Sequence, residues 1–292
     1  MKKKSSLKHT GAFWAFCAPC CILFGVFFLV PLVLSIAFSF TNYDGWKTMD
    51  FVGLTNYITL FKDSKFYLSL GRTLLYTVCT LPFRVIIPLL VAVLLCSSRV
   101  AAKSLTRTMV YIPVLMSALV VGITINWMFS QEYGLVNFII RSLGGTALEW
   151  SLNPRLATFV IAFASVWASI GFNMILYIGG INSISNDLYE AATIDGASGV
   201  QAFFRITVPM LAPTTFMVVL LSTVNLLKEY ALVQGITQGG PGLSTTFIIQ
   251  YIFDKGFNQM QYGYASAIST VVMIIFALIA FAQFKVNNGG ET

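Results

Sequence analysis

Several apolar runs in this 292-residue chain are longer than any soluble helix requires, and they limit what it can fold into. About 20 apolar residues in helical form cover the hydrocarbon thickness of a bilayer. Lipid offers backbone N–H and C=O groups no water to bond, so each run must be a helix. The pattern predicts an all-α, polytopic membrane protein with six transmembrane helices. They are expected over about 13–40, 73–96, 109–129, 156–181, 214–236 and 265–284. Only 10% of the residues are charged, against about 25% in a soluble domain. There is no internal repeat, low-complexity tract or linker, so residues 1–292 read as one domain. The basic start (Lys2, Lys3, Lys4, Lys8) resembles a signal peptide. The apolar run that follows exceeds the roughly 7–15 residues of a signal core. It reads as an uncleaved first span, with a kink expected at Pro31.

Six spans put both termini on one side. The basic N-terminus and the Arg99/Lys103/Arg107 turn share that side, which the excess of positive charge assigns to the cytoplasm. The total of lysines and arginines divides evenly, nine inside and nine elsewhere, so the density near the first two inner segments decides. The net charge of +7 forms no basic stripe with interleaved aromatics, so no nucleic-acid partner is expected. Membrane lipid is the partner that the composition demands.

The chain lacks the residues for several chemistries. Its one histidine, His9, lies in the polar start, and no G-x-x-x-x-G-K-[ST] phosphate loop occurs. No catalytic residue, metal site or cofactor is expected in this chain. Cys17-Ala-Pro-Cys20 has the spacing of a redox pair but falls inside a span with no βαβ context, so packing is the better reading.

A polar island at residues 185–213 interrupts the apolar pattern. Asp187 with Glu190 fits a capping box, and Ser185 competes as N-cap. Leu188, Ala191 and Ala192 would share a helix face. Gly196 suits a left-handed C-cap position, and Ser198 with Gln201 forms a second capping box. Val200, Phe203, Phe204 and Thr207 then make an amphipathic stripe, and Pro209 and Pro213 bracket the return to the membrane. The island reads as a helix–turn–helix knob; a solvated loop with two helical turns is the plainer alternative.

Glu190-Ala191-Ala192, Asp195-Gly196-Ala197, Ile206, Pro209, Leu211 and Pro213 resemble the EAA loop of inner-membrane permeases of binding-protein-dependent ABC importers. Ser185 stands where that family usually has proline. The resemblance implies a type I importer permease fold. It also implies a homologous second permease, a dimer of ATPase subunits and an extracytoplasmic sugar-binding protein, with ATP and Mg on the ATPase. Glu190, Ala191, Ala192, Asp195, Gly196, Ala197, Phe203 and Phe204 would then dock into the ATPase.

Polar groups within spans are expensive against lipid and point to a substrate path. Ser222, Asn225, Leu226 and Glu229 follow helical spacing on the fifth span, and Ser169 and Phe172 on the fourth. Hydroxyls, amide, carboxylate and aromatic planes suit a sugar. The competing reading is that these groups tie helices together. Arg84 could pair with Glu229 or snorkel. Phe51-Val-Gly-Leu-Thr-Asn-Tyr57 and the turn Thr237–Thr245 resemble the outer segments of the sugar-permease branch of the family. Gly239, Gly240 and Pro241 would there meet the binding protein; a turn with no partner is the alternative. A solitary secondary transporter or channel would show repeat symmetry or buried coupling carboxylates. A membrane enzyme would need histidine clusters or paired carboxylates. The sequence favours neither over the importer.

Overall fold

The computed structural model describes residues 6–46, 49–97 and 102–288. Lys2, Lys3, Lys4 and Arg99, and the side chains of Lys8 and His9, lie outside the described residues. The described chain is helix and loop, with one isolated β-bridge between Thr41 and Phe51. Four helices are long and apolar enough to cross a membrane, or six spans if each of two bent pairs counts as one. The chain divides into two compact units, Met1–Ser64 with Ile252–Ile275 and Lys65–Tyr251 with Phe276–Thr292.

In the first unit, α1 (Trp14–Phe38) has no buried residue. The expected kink at Pro31 takes the form of a wide π turn over Gly25–Leu29. Proline has no N–H and its ring crowds the carbonyl four residues back, here Phe27; a widened turn relieves both. The loop after α1 is more ordered than its polar sequence suggests. It contains α2 (Thr55–Lys62), and Asn56 Nδ2 donates to the carbonyls of Ser39 and Thr41 at 2.9 and 2.8 Å. Those bonds satisfy backbone acceptors left open at the end of α1.

The second unit is organised on α3 (Ser64–Cys96), which begins nine residues before the span expected at 73. Its buried seam holds Ser69, Thr73, Thr77, Thr80 and Arg84, while Leu75, Val78, Ile86 and Leu94 are exposed. This inverts the pattern of a soluble helix, because lipid is the solvent and polar groups retreat inward. The third span, expected as one helix, is broken into α4 (Lys103–Leu115) and α5 (Ala118–Met128), bent by 100°. Met116 and Ser117 are extended at the break, just after Pro113. Next come the short α6 (Leu135–Ser142) and α7 (Pro154–Asn182), which matches the expected fourth span. Gly144 ends α6 with φ +82°, as its place after an amphipathic run implies.

The island forms α8 (Asn186–Ile194) and α9 (Gly199–Met210), the latter bent by 66° from α10 (Ala212–Leu227). The fifth span, expected at 214–236, also stops early. It is interrupted at Lys228, Glu229 and Tyr230 and resumes as α11 (Ala231–Ile236). Glu229 Oε1 accepts from the N–H of Leu232 at 3.4 Å, which satisfies a donor at the start of the new helix. After α12 (Ile248–Phe253), α13 (Tyr262–Asn288) closes the described chain.

Glycine sets the closest helix contacts in the second unit. A Cβ on Gly122 of α5 would lie 3.0 Å from the Cα of Gly235 on α11. One on Gly235 would lie 2.8 Å from the carbonyl of Leu119. Small residues let membrane helices approach where no hydrophobic driving force separates them from lipid. Gly235→Leu should lower the unfolding midpoint of the purified protein in detergent, with a loss of about 1–3 kcal/mol from overpacking. Gly71→Leu, at a site with no atom within 4 Å of the added Cβ, should leave the midpoint unchanged.

Candidate functional site

Three places carry the candidate functional residues. The first is the knob. Ser185, not Asp187, caps α8, its hydroxyl accepting from the N–H of Asp187 at 3.2 Å. The competing cap wins because Asp187 already lies within the helix. At the other end Gly196 has φ +77°, and the N–H groups of Gly196 and Ala197 donate to the carbonyls of Thr193 and Ala192. This is the paired closure of a Schellman ending. Nothing crowds Gly196, so its backbone angle alone calls for glycine. Ser198 and Gln201 form the expected reciprocal capping box, at 2.8 and 3.3 Å.

α9 widens into a π turn over Phe203–Thr207. Pro209 follows two residues later, as Pro31 follows its own π turn, and the carbonyl it would crowd is that of Arg205. The expected stripe on α9 is therefore not a single buried face. Thr207 is buried and Phe203 half-buried, whereas Val200 and Phe204 are exposed. Tyr189 Oη and Thr207 Oγ1 lie 2.9 Å apart and join α8 to α9. Glu190, Ala191, Asp195 and Gly196 are exposed, and Ala192 and Ala197 half-buried. Ile194 is 86% exposed and Phe204 64%. The tip thus sets carboxylates beside uncovered apolar side chains.

The second place is a polar layer across the middle of the helices. Arg84 Nε and Nη2 donate to the carbonyl of Ser165 at 3.2 and 3.1 Å. Asn173 Nδ2 donates to the carbonyl of Arg84 at 2.9 Å and to Ser222 Oγ at 3.2 Å. Arg84 is thus buried and held by a backbone carbonyl; it does not snorkel. An apolar cluster containing Tyr76, Ile161, Ala164 and Leu226 packs on one side of this layer. Another, containing Ala92, Met174, Tyr177 and Val218, packs on the other.

The expected substrate face on the fifth span is dispersed by the break after Leu227. Ser222 is buried in the polar layer and Leu226 in the apolar cluster. Asn225 is exposed, and Glu229 lies in the break itself. On α7, Phe172 is exposed and Ser169 half-buried, its hydroxyl donating to the carbonyl of Val166. The tying of helices, weighed above against sugar contact, describes Ser222 as it stands.

The third place is the turn at residues 237–245. Gly240–Pro241 is a cis peptide, and Gln238, Gly239 and Gly242 all have positive φ. Thr245 Oγ1 donates to the carbonyl of Gly240 at 2.7 Å and lies 2.7 Å from Thr237 Oγ1. Gly239 is buried; a Cβ there would strike Thr246 Oγ1 at 2.8 Å. Gly240 and Pro241 are half-buried, and the exposed shoulder of the turn is Gly242 and Leu243. Among the described residues no group of histidine, cysteine or carboxylate side chains could hold a metal, and all five cysteines are free.

The described family of binding-protein-dependent transport system inner membrane components matches residues 52–288. The chain belongs to that family. It is 32% identical to the arabinooligosaccharides transport system permease protein AraP of Bacillus subtilis, over 94% of this chain and 88% of the relative. It is also 32% identical to the lactose transport system permease protein LacF of Rhizobium radiobacter, over 93% and 92%. The fold matches a chain in the crystal structure of a bacterial ABC transporter that imports the acidic polysaccharide alginate. The TM-score is 0.83 at 23% identity, covering 97% of both chains. The protein is therefore an all-α, polytopic membrane protein with the type I ABC importer permease fold.

The knob's closure can be measured directly. An alanine in the left-handed conformation costs about 1–2 kcal/mol. Gly196→Ala should therefore reduce amide-exchange protection across 186–197 by roughly 5–30-fold. The protection of α7 should not change.

Proposed function

We propose that this chain is the permease subunit of an ATP-driven importer that moves a saccharide, preferentially an oligosaccharide, by alternating access. The observation that carries the reading is the knob. It is closed by its own caps and its Tyr189–Thr207 bond, and it presents an exposed tip of carboxylates and small or apolar residues. It follows α7 directly and leads through one 66° bend into α10. A push on such a unit moves as a body into both helices. The saccharide assignment draws on the relatives named for arabinooligosaccharides and lactose.

In this reading residues 1–292 work as one permease domain with both termini in the cytoplasm. It pairs with a homologous second permease, two ATPase subunits and an extracytoplasmic binding protein. The chain performs no catalysis and holds no cofactor; ATP and Mg belong to the ATPase. Glu190, Ala191, Ala192, Asp195, Gly196, Ala197, Phe203 and Phe204 form the ATPase contact. Ser169, Phe172, Ser222, Asn225, Leu226 and Glu229 are the proposed substrate path, with Phe172 and Asn225 as its exposed members. The binding protein meets Pro241 and the exposed shoulder beside it, with Gly239 and Gly240 shaping the turn beneath.

Reconstitution of the complex in proteoliposomes tests the coupling. Glu190→Arg and Ala191→Trp alter exposed positions and should leave the unfolding midpoint intact. Each should reduce ATPase co-purification and ATP-driven uptake at least tenfold. Undiminished uptake would remove the knob from the mechanism. Uptake by this chain alone, without ATP, would establish a solitary transporter instead.

A further inference from the structure

A groove of about 750 Å³ runs between α3 and α7 in the second unit and is capped by residues of the 237–247 segment. None of the six candidate substrate residues lines it. Its size lies within the range of small-molecule pockets, about 300–1,000 Å³. Its apolar walls include four phenylalanines: Phe83 from α3, Phe159 and Phe163 from α7, and Phe247. Tyr76, 4.6 Å from Phe247 between ring centroids, also lines it.

Two further features distinguish the groove from an apolar slot filled by lipid. Tyr76, Thr80 and Ser244 line it, and the hydroxyl oxygens of Thr80 and Ser244 are buried beneath its surface with no hydrogen-bond partner among the described residues. Tyr76 and Thr80 are each only 2% exposed. A buried hydroxyl left unmade costs free energy, and an acyl chain cannot satisfy it. Arg72 and Arg155 also line the groove. The Arg84 side chain reaches Ser165 while its carbonyl accepts from Asn173, so α3 and α7 are joined at two levels. Arg72 precedes Arg84 by twelve residues and Arg155 precedes Ser165 by ten. Both arginines lie toward the N-terminal ends of their helices and line the one groove. Arg155 is exposed, and Arg72 spends one donor on the carbonyl of Leu243. A guanidinium carries five donors, so most remain for a ligand.

We infer that this groove is a saccharide subsite that selects sugars bearing negative charge. The rings stack against pyranose faces, the Thr80 and Ser244 hydroxyls turn outward to bond sugar oxygens, and the two arginines take a carboxylate or phosphate, where paired donors favour such groups. The inference rests on the saccharide-importer reading and specifies its substrate class.

Cys79 lines the same groove, is exposed, and supplies the readout. Cys17, Cys20, Cys21 and Cys96 are replaced by serine in the full permease complex. Labelling of Cys79 by a neutral maleimide is then timed with trigalacturonate, its methyl ester, trehalose 6-phosphate, or phosphatidylglycerol bicelles. Trigalacturonate should slow labelling at least tenfold while its uncharged ester does not. Arg72→Gln/Arg155→Gln should abolish protection and leave the unliganded rate within twofold. Protection by trehalose 6-phosphate alone would also support an anionic subsite and place the charge on a phosphate. Equal protection by acid and ester overturns charge selection. Protection by phosphatidylglycerol alone makes the groove a lipid site, and protection by nothing removes it as a ligand site. If ATP-driven uptake of a neutral oligosaccharide persists in either case, the importer reading stands without this inference. If that uptake is absent as well, both fall.

Discussion

The second unit depends on how one buried guanidinium is satisfied. Arg84 sits midway along α3, 7% exposed, in a region where an unpaired cation is costly. Its donors reach the carbonyl of Ser165, its own carbonyl accepts from Asn173, and Asn173 reaches Ser222. Three spans that would otherwise be interchangeable apolar rods thereby acquire a register. Apolar clusters pack on both sides of this layer, so the polar groups are enclosed and water is kept from competing for their bonds.

Around this layer, several helices are interrupted. The third span bends by 100° after Pro113, and the fifth stops at Lys228 and restarts at Ala231. The two pieces meet through Gly122 and Gly235, where a side chain on either would collide with backbone. Pro31 and Pro209 are each preceded by a π turn. In both cases the widened turn absorbs the proline without ending the helix. At Pro209 it lies where the knob returns toward α10, beside the 66° bend. Gly180 reinforces this on α7, since a Cβ there would come within 2.5 Å of Thr214 Oγ1 on α10. The two helices flanking the knob are therefore in close contact.

Much of this was legible from residues in order. The six apolar segments and the caps at Ser198 and Gly196 follow from local pattern, which backbone bonding and side-chain spacing dictate. The knob at Glu190–Gly196 was legible for the same reason: caps act within a few residues of the atoms they satisfy. Ser185 outranked Asp187 because helix initiation depends on where the preceding turn ends, which pattern alone left open.

Hydropathy averages over a window, so it could not register the breaks at Met116 and Lys228, where both halves remain apolar. Nor could it tell that Ser222 and Leu226 face inward while Asn225 does not. That follows from which neighbour each meets across the bundle. The sequence by itself determined a chain that must cross lipid as helices and must carry a capped polar knob between two of them, because both follow from short-range backbone chemistry. The tertiary structure alone decided that Arg84 rests on Ser165, that Gly122 opposes Gly235, and that Tyr76, Thr80 and Ser244 share a groove with two arginines. Those are meetings of residues far apart in the chain, set by packing and by the need to satisfy buried polar atoms.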